Sequence, residues 1–285
     1  MKNVAYMVIL ASACACAGRQ KVQDPADTAR GLYETALEDL DAGLYPEAQR
    51  GFGVVKTRFP YSAYAALADL RIADTHLQSG KYVEAIDAYR TFLKLHPNHA
   101  EASYAMFSIA EAYFEQMPGD WWLLPPAAEK DQASTRRAIV AYRDMLARFG
   151  DDALAPTARE KLRQCRRRLA DHEMYVAEFY FDKGHYRAAV WRTERLLKQF
   201  PGLGLDARAL WVAAQSYQKE GDLGRARNAA LRLTGAFPGT PEATEAGRLL
   251  DDLRDVGIEG QTAPTGNADR ARPPVPLSTQ PPGGG

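Results

Sequence analysis

Apolar residues recur along most of this chain at the i, i+3, i+4, i+7 spacing of helices with one buried face, and the pattern itself repeats. Five stretches of eighteen residues align without a gap: 43–60 (GLYPEAQRGFGVVKTRFP), 80–97 (GKYVEAIDAYRTFLKLHP), 133–150 (ASTRRAIVAYRDMLARFG), 184–201 (GHYRAAVWRTERLLKQFP) and 221–238 (GDLGRARNAALRLTGAFP). One column holds Ala48, Ala85, Ala138, Ala189 and Ala226, and the last column holds Pro four times and Gly150 once. Upstream, Ala36, Ala73, Ala110, Ala177 and Ala214 each sit in the middle of another apolar-periodic segment, and in four of the five copies a Gly follows seven residues later. The pattern predicts paired helices. Two helices approach closely only where a side chain is no larger than Ala, and Pro ends the second helix by removing a donor and blocking its continuation.

Successive alanines of the upstream column are 37, 37, 67 and 37 residues apart, so the third unit breaks the rule. Within it the two columns are 28 apart where the others show 12, which places an insertion of sixteen residues at about 118–132. A further fourteen residues lengthen the connection to the fourth unit. There the stripe Leu162, Cys165, Leu169 keeps helical spacing and predicts one long helix over about 156–183.

These features resemble the tetratricopeptide repeat. The resemblance covers about 28–250 and implies an all-α fold, a tetratricopeptide-type superhelical solenoid of about five helical hairpins. The expected organisation is a leader at 1–13, a tether at 14–27, and units one and two with the first helix of unit three at 28–117. An inserted loop at 118–132 follows, then the remainder with the long helix at 133–255 and a tail at 256–285. Six Pro and six Gly within 257–285 are too little apolar substance to offset ordering, so the tail is expected to be disordered.

After Lys2 the chain is uncharged from Asn3 to Gly18, too short an apolar run to span a bilayer core of ~30 Å. It resembles a bacterial signal peptide ending in a lipoprotein box, Ala11-Ser12-Ala13-Cys14, although the usual Leu three residues before the cysteine is replaced by Ala11. Diacylglyceryl and acyl groups on Cys14 are the only non-protein groups expected, and several acyl chains suffice for stable anchoring. Cys16, after Ala15, is a rival site, and an ordinary cleaved signal or an N-terminal membrane helix is the alternative. No acidic residue follows Cys14, which fits onward sorting to the outer membrane.

Composition adds mainly exclusions. Thirty-six basic and thirty-six acidic residues balance, so no global field points to nucleic acid. Among His76, His96, His99, His172 and His185 only His96 and His99 are close, with no cysteine nearby, so no metal site is expected. Cys165 falls on a buried stripe and reads as a core thiol, and Gly80-Lys81 lacks the upstream Gly of a phosphate loop. No catalytic set is visible. The run Arg159, Lys161, Arg163, Arg166, Arg167, Arg168 reads either as a solvated helix face or as a contact for an acidic partner or lipid headgroups. In the insert, Trp121-Trp122-Leu123-Leu124-Pro125-Pro126 either folds back over its own stack or forms an exposed aromatic anchor.

Three segments go beyond a generic repeat: 58–99, 121–149 and 173–201. With the lipoprotein box they resemble the BamD (YfiO/ComL) family of outer-membrane protein assembly lipoproteins, which has five such repeats and a loop inserted in the third. The resemblance implies a lipid-anchored scaffold on the periplasmic face of the outer membrane, without enzymatic activity. Its implied partners are the last periplasmic domain of the barrel component BamA, other assembly lipoproteins, and unfolded outer-membrane protein clients. The family's partner surface carries over onto Phe179, Tyr180, Lys183 and Arg192, with Lys183 where the family can have Arg. Tyr180 also occupies a repeat position normally buried between helices. Arg192 is expected to pair with a partner carboxylate, so that Arg192→Glu weakens binding with helical content intact. Tyr61, Tyr64, Tyr104 and Phe107 are candidates for cradling an extended client, or core residues. The rival reading is a tetratricopeptide envelope organiser coordinating cell-wall synthesis or the Tol–Pal system; such proteins carry an N-terminal coiled coil, for which the short tether leaves no room.

Overall fold

The computed structural model describes residues 25–119 and 127–255. The leader with Cys14 and Cys16, the residues from Trp121 to Pro126, and the tail from Val256 lie outside the described residues. Within them every regular element is a helix: α1 (Pro25–Asp41), α2 (Tyr45–Arg58), α3 (Ala63–Gln78), α4 (Tyr82–Leu95), α5 (Ala102–Glu115), α6 (Ala133–Arg148), α7 (Ala155–Asp182), α8 (Tyr186–Gln199), α9 (Asp206–Lys219), α10 (Leu223–Ala236) and α11 (Pro241–Asp255). The fold is all-α and of tetratricopeptide type. It divides into two compact units, Met1–Thr75 and His76–Gly285, with the boundary inside α3.

The repeated glycines do one conformational job. Gly43, Gly80, Gly184 and Gly221 all adopt φ between 74° and 78°, a left-handed geometry costly for any residue with a Cβ. The N–H after each glycine donates five residues back, Leu44 to the Asp39 carbonyl at 2.8 Å and His185 to the Tyr180 carbonyl at 2.8 Å, for example. The glycine N–H donates three residues back, as Gly184 does to the Phe181 carbonyl at 2.9 Å. This paired closure satisfies the last carbonyls of the first helix and turns the chain straight into the second. Unit three has no such glycine; after α5 the chain enters the insert instead.

The second helices stop in a common way. Phe59, His96, Phe200 and Phe237 take φ near −130° and ψ between 45° and 59°, outside the α region that a following Pro disfavours. Phe149 adopts the same geometry ahead of Gly150.

The alanine columns are the crossing points. All ten residues named above are 0–1% exposed. In the first unit, Tyr33, Ala36 and Leu40 of α1 pack on Ala48, Phe52 and Val55 of α2 with Ala68 of α3. In the second, α7 carries two cores on one helix of 28 residues, a rod of about 42 Å. Its first half packs Ala158 and Cys165 with Ala138, Tyr142 and Met145 of α6. Its second half packs Ala170 and Met174 with Ala189 and Leu196 of α8 and Ala209 of α9. A third core joins α9, α10 and α11 through Leu210, Tyr217, Leu233, Leu249 and Leu253.

The returning limb of the insert is tied down. Ala127 is buried, the Gln132 amide donates to the Ala127 and Lys130 carbonyls at 2.8 Å each, and its oxygen accepts from Thr135 at 2.9 Å. His172 Nδ1 lies 2.6 Å from the Ala128 carbonyl, and the Tyr175 hydroxyl donates to Glu129 at 3.1 Å, so residues 127–132 are fastened to α7.

Candidate protein-interaction surface

α7 and α8 form the hairpin that carries the four residues singled out for partner binding. The buried positions of α8 are Ala189, Val190, Thr193 and Leu196, a stripe facing α7 and α9. Trp191, Arg192 and Arg195 flank that stripe. Arg192 reaches across the hairpin, its Nη1 donating to Glu173 Oε2 at 3.0 Å, while Arg195 Nε lies 3.4 Å from Glu173 Oε1. Glu173 is 7% exposed at the side chain and Arg192 is 15% exposed. A carboxylate so deeply placed requires a countercharge. Arg192 Nε is buried without a hydrogen-bond partner. Arg192 therefore spends one arm inside its own chain and leaves only an edge of its guanidinium at the surface.

That edge is stacked. The guanidinium carbons of Arg192 and Arg195 lie 5.0 Å and 5.5 Å from the Trp191 ring centre, within cation–π range, and Trp191 is 37% exposed. At the end of the hairpin, Lys183 caps α7, where a cation complements the helix dipole, and its Nζ sits 5.8 Å from the ring of Phe179. Phe179 is exposed, and its ring meets Tyr180 edge-on at 5.8 Å. Tyr180 is half-buried, packs on the core shared by α7, α8 and α9, and meets the His185 ring at 6.3 Å. Phe179, Lys183 and the Trp191–Arg192–Arg195 stack are thus the outward part of this hairpin, and Tyr180 is the part that braces it.

A profile of the YfiO family, described as outer membrane lipoprotein, matches residues 25–255. The chain belongs to the YfiO family. Among curated relatives, the outer membrane protein assembly factor BamD of Caulobacter vibrioides is 29% identical over 253 residues, covering 88% of this chain and 80% of that protein. BamD of Neisseria meningitidis serogroup A is 25% identical over 259 residues, covering 86% and 95%. BamD of Rickettsia prowazekii is 24% identical over 240 residues, covering 84% and 92%. Among solved structures, the TPR2AB-domain:pHSP90-complex of yeast Sti1 aligns over 81% of this chain and 92% of that chain with a TM-score of 0.41 at 15% identity. The fold assignment rests on the hairpins themselves.

Within this YfiO-family chain the four candidates for a client groove have different environments. Tyr61 and Tyr64 belong to the first unit: Tyr61, between α2 and α3, is fully exposed, and Tyr64 packs its ring 5.4 Å from Tyr33. Tyr104 and Phe107 belong to the second: Tyr104 is half-buried, and Phe107 packs on the α5–α6–α7 core with its ring 6.0 Å from Tyr142.

The basic run on α7 does not form one face. Arg159 donates to the Gly150 carbonyl at 2.6 Å, and Lys161 pairs with Glu111 at 3.0 Å under the ring of Phe114. Arg163 pairs with Glu160 at 2.8 Å, Arg166 donates to the Gln199 carbonyl at 3.2 Å, and Arg167 bonds Asp171 and the Leu203 carbonyl. Two of them thus hold the loop between α8 and α9. Glu111 also accepts from the buried Tyr142 hydroxyl, and burial together with that carboxylate pushes the Tyr142 hydroxyl far above its ordinary range. Burial, with Glu111 next, raises the Cys165 thiol from 9.0 to about 12, so it stays protonated and inert. His96 and His99 both pack against Phe92, each ring centre at 5.3 Å.

Sequence reasoning missed Glu173, Trp191 and Arg195. Trp191 was findable, being a large aromatic off the apolar stripe of α8 with arginines at the next position and one turn on. Glu173 gave a signal too, a carboxylate beside Met174 on the buried side of α7, but its partners nineteen and twenty-two residues away are defined only by the register of the hairpin.

Proposed function

We propose that this chain is a lipid-anchored scaffold of outer-membrane β-barrel assembly, docking the periplasmic domain of the barrel component through the α7–α8 hairpin. The observation that carries this reading is the match of nearly the whole folded region to proteins named outer membrane protein assembly factors. The hairpin supports it chemically. Phe179 with Lys183, and Trp191 with Arg192 and Arg195, give rigid aromatic area edged by cations, the residue types that dominate protein interfaces. A partner surface carrying carboxylates and an apolar pocket would meet both.

In this reading Cys14 carries the anchor, the chain faces the periplasm, and the N-terminal repeats receive extended client segments, with Tyr61 as the accessible aromatic. Affinity purification of the full chain from detergent-solubilised membranes tests the assignment. Co-recovery of the barrel component is expected, and recovery of Tol–Pal components in its place would overturn it. Mass spectrometry of the mature N-terminus tests the anchor, and an unmodified Cys14 would remove it.

A further inference from the structure

Next to the α7–α8 surface, helices α7, α9 and α11 line an open groove of about 750 Å³. Its lining is partly apolar and aromatic, from Phe181, Trp211, Val212 and Pro241. It also carries Glu178, Asp182, Glu242 and Glu245, four carboxylates against the guanidinium of Arg208. Arg208 is committed to Glu178 at 2.5 Å and Glu245 to Arg248 at 2.7 Å, whereas Asp182 and Glu242 make no ion pair among the described residues. The groove is therefore an acid-rimmed aromatic trough, suited to an extended cationic segment rich in proline. Such a segment needs no partner strand, and its preset conformation loses little entropy on docking.

The chain supplies one. Beyond α11 the sequence reads Arg270-Ala271-Arg272-Pro273-Pro274-Val275-Pro276-Leu277, two cations followed by a Pro-x-x-Pro run and a leucine. Fourteen residues lie between Asp255, the last residue of α11, and Arg270. A peptide of that length behaving as a random coil spans about 20 Å on average, using 5–6 Å times the square root of its length. The groove-lining residues of α11 sit in its first turns, and a helix of 15 residues is itself about 22 Å long. A linker of that length is long enough for the arginines to reach Glu242 and Glu245 at high effective concentration.

We propose that residues 270–277 dock intramolecularly in the α7–α9–α11 groove, with Arg270 and Arg272 on its carboxylate walls and the proline run against Trp211. The groove is then a regulated surface: any other cationic, proline-rich segment must displace the tail to enter. This inference is independent of the assembly reading.

A photo-reactive amino acid in place of Leu277 in the full chain tests it, with cross-linked peptides mapped by mass spectrometry. Cross-links within one chain to the 206–215 or 241–245 segments are expected. Arg270→Glu with Arg272→Glu should cut their yield at least fivefold, and adding Glu242→Lys with Glu245→Lys should restore it. Arg270 and Arg272 belong to none of the helices α1–α11, and matched helical content of the reversal variant separates a loss of cross-linking from misfolding. Cross-links to another surface of the chain, between two copies, or to a different envelope protein would each overturn the proposal. So would a yield insensitive to the charge reversal.

Discussion

Glu173 on α7 and Arg192 on α8 form a 3.0 Å ion pair across their hairpin, nearly closed to solvent, and Arg195 adds a second contact at 3.4 Å. The pair turns Arg192 from a free recognition residue into the countercharge of a buried carboxylate. This changes what its replacement reports. Arg192→Glu sets a second carboxylate against Glu173 and should destabilise the fold by about 3–5 kcal/mol, the scale for breaking a buried pair from one side. Urea unfolding of the single variants and of Arg192→Leu with Glu173→Leu measures it. The double variant should recover most of the loss, because it leaves no buried charge unpaired.

Gly51 and Gly53 make a matched test of helix packing in the first unit. A Cβ on Gly51 would lie 2.7 Å from the Cβ of Ala36, which cannot move without shifting α1, whereas a Cβ on Gly53 meets nothing within 4 Å. Gly51→Ala should therefore destabilise by about 1–3 kcal/mol through overpacking, outweighing its gain in helix propensity. Gly53→Ala should stabilise by about 0.5–1 kcal/mol. Thermal melts of both decide the sign.

Cys165 should resist thiol reagents. With its thiol raised to about 12, almost no thiolate exists at pH 8, so its peptide should take up iodoacetamide only when the chain is unfolded. The sign for stability follows: the folded state favours the protonated thiol, so this contribution is complete below pH 9 and is lost as pH rises from 9 towards 12. Alkaline titration of unfolding stability, compared with Cys165→Ala, isolates it.

The repeat was legible because its chemistry is local and periodic. Ala189 or Gly184 means the same thing wherever it recurs, a close crossing or a left-handed turn. The candidate surface was only half legible, since the burial of a charged residue depends on what the neighbouring helix brings opposite it. Arg192 looks exposed on its own helix, and only α7 supplies Glu173 to draw it in. The basic run on α7 shows the same limit: as a string it is one basic patch, whereas Arg166 and Arg167 turn to the carbonyls of Gln199 and Leu203 and Lys161 to Glu111 of α5.

The outward residues of the hairpin are the ones a docked partner would meet first. Trp191→Ala removes the ring on which two guanidinium groups stack, and Lys183→Glu reverses the charge beside Phe179, while Glu173, Arg192 and the α7–α8 core stay in place. The decisive measurement is the affinity of the purified Trp191→Ala, Lys183→Glu chain for the periplasmic domain of the barrel component, beside the parent chain and with matched helical content. A loss of at least about thirtyfold is expected, the 2 kcal/mol threshold of an interface hot spot. An affinity equal to that of the parent chain would contradict it.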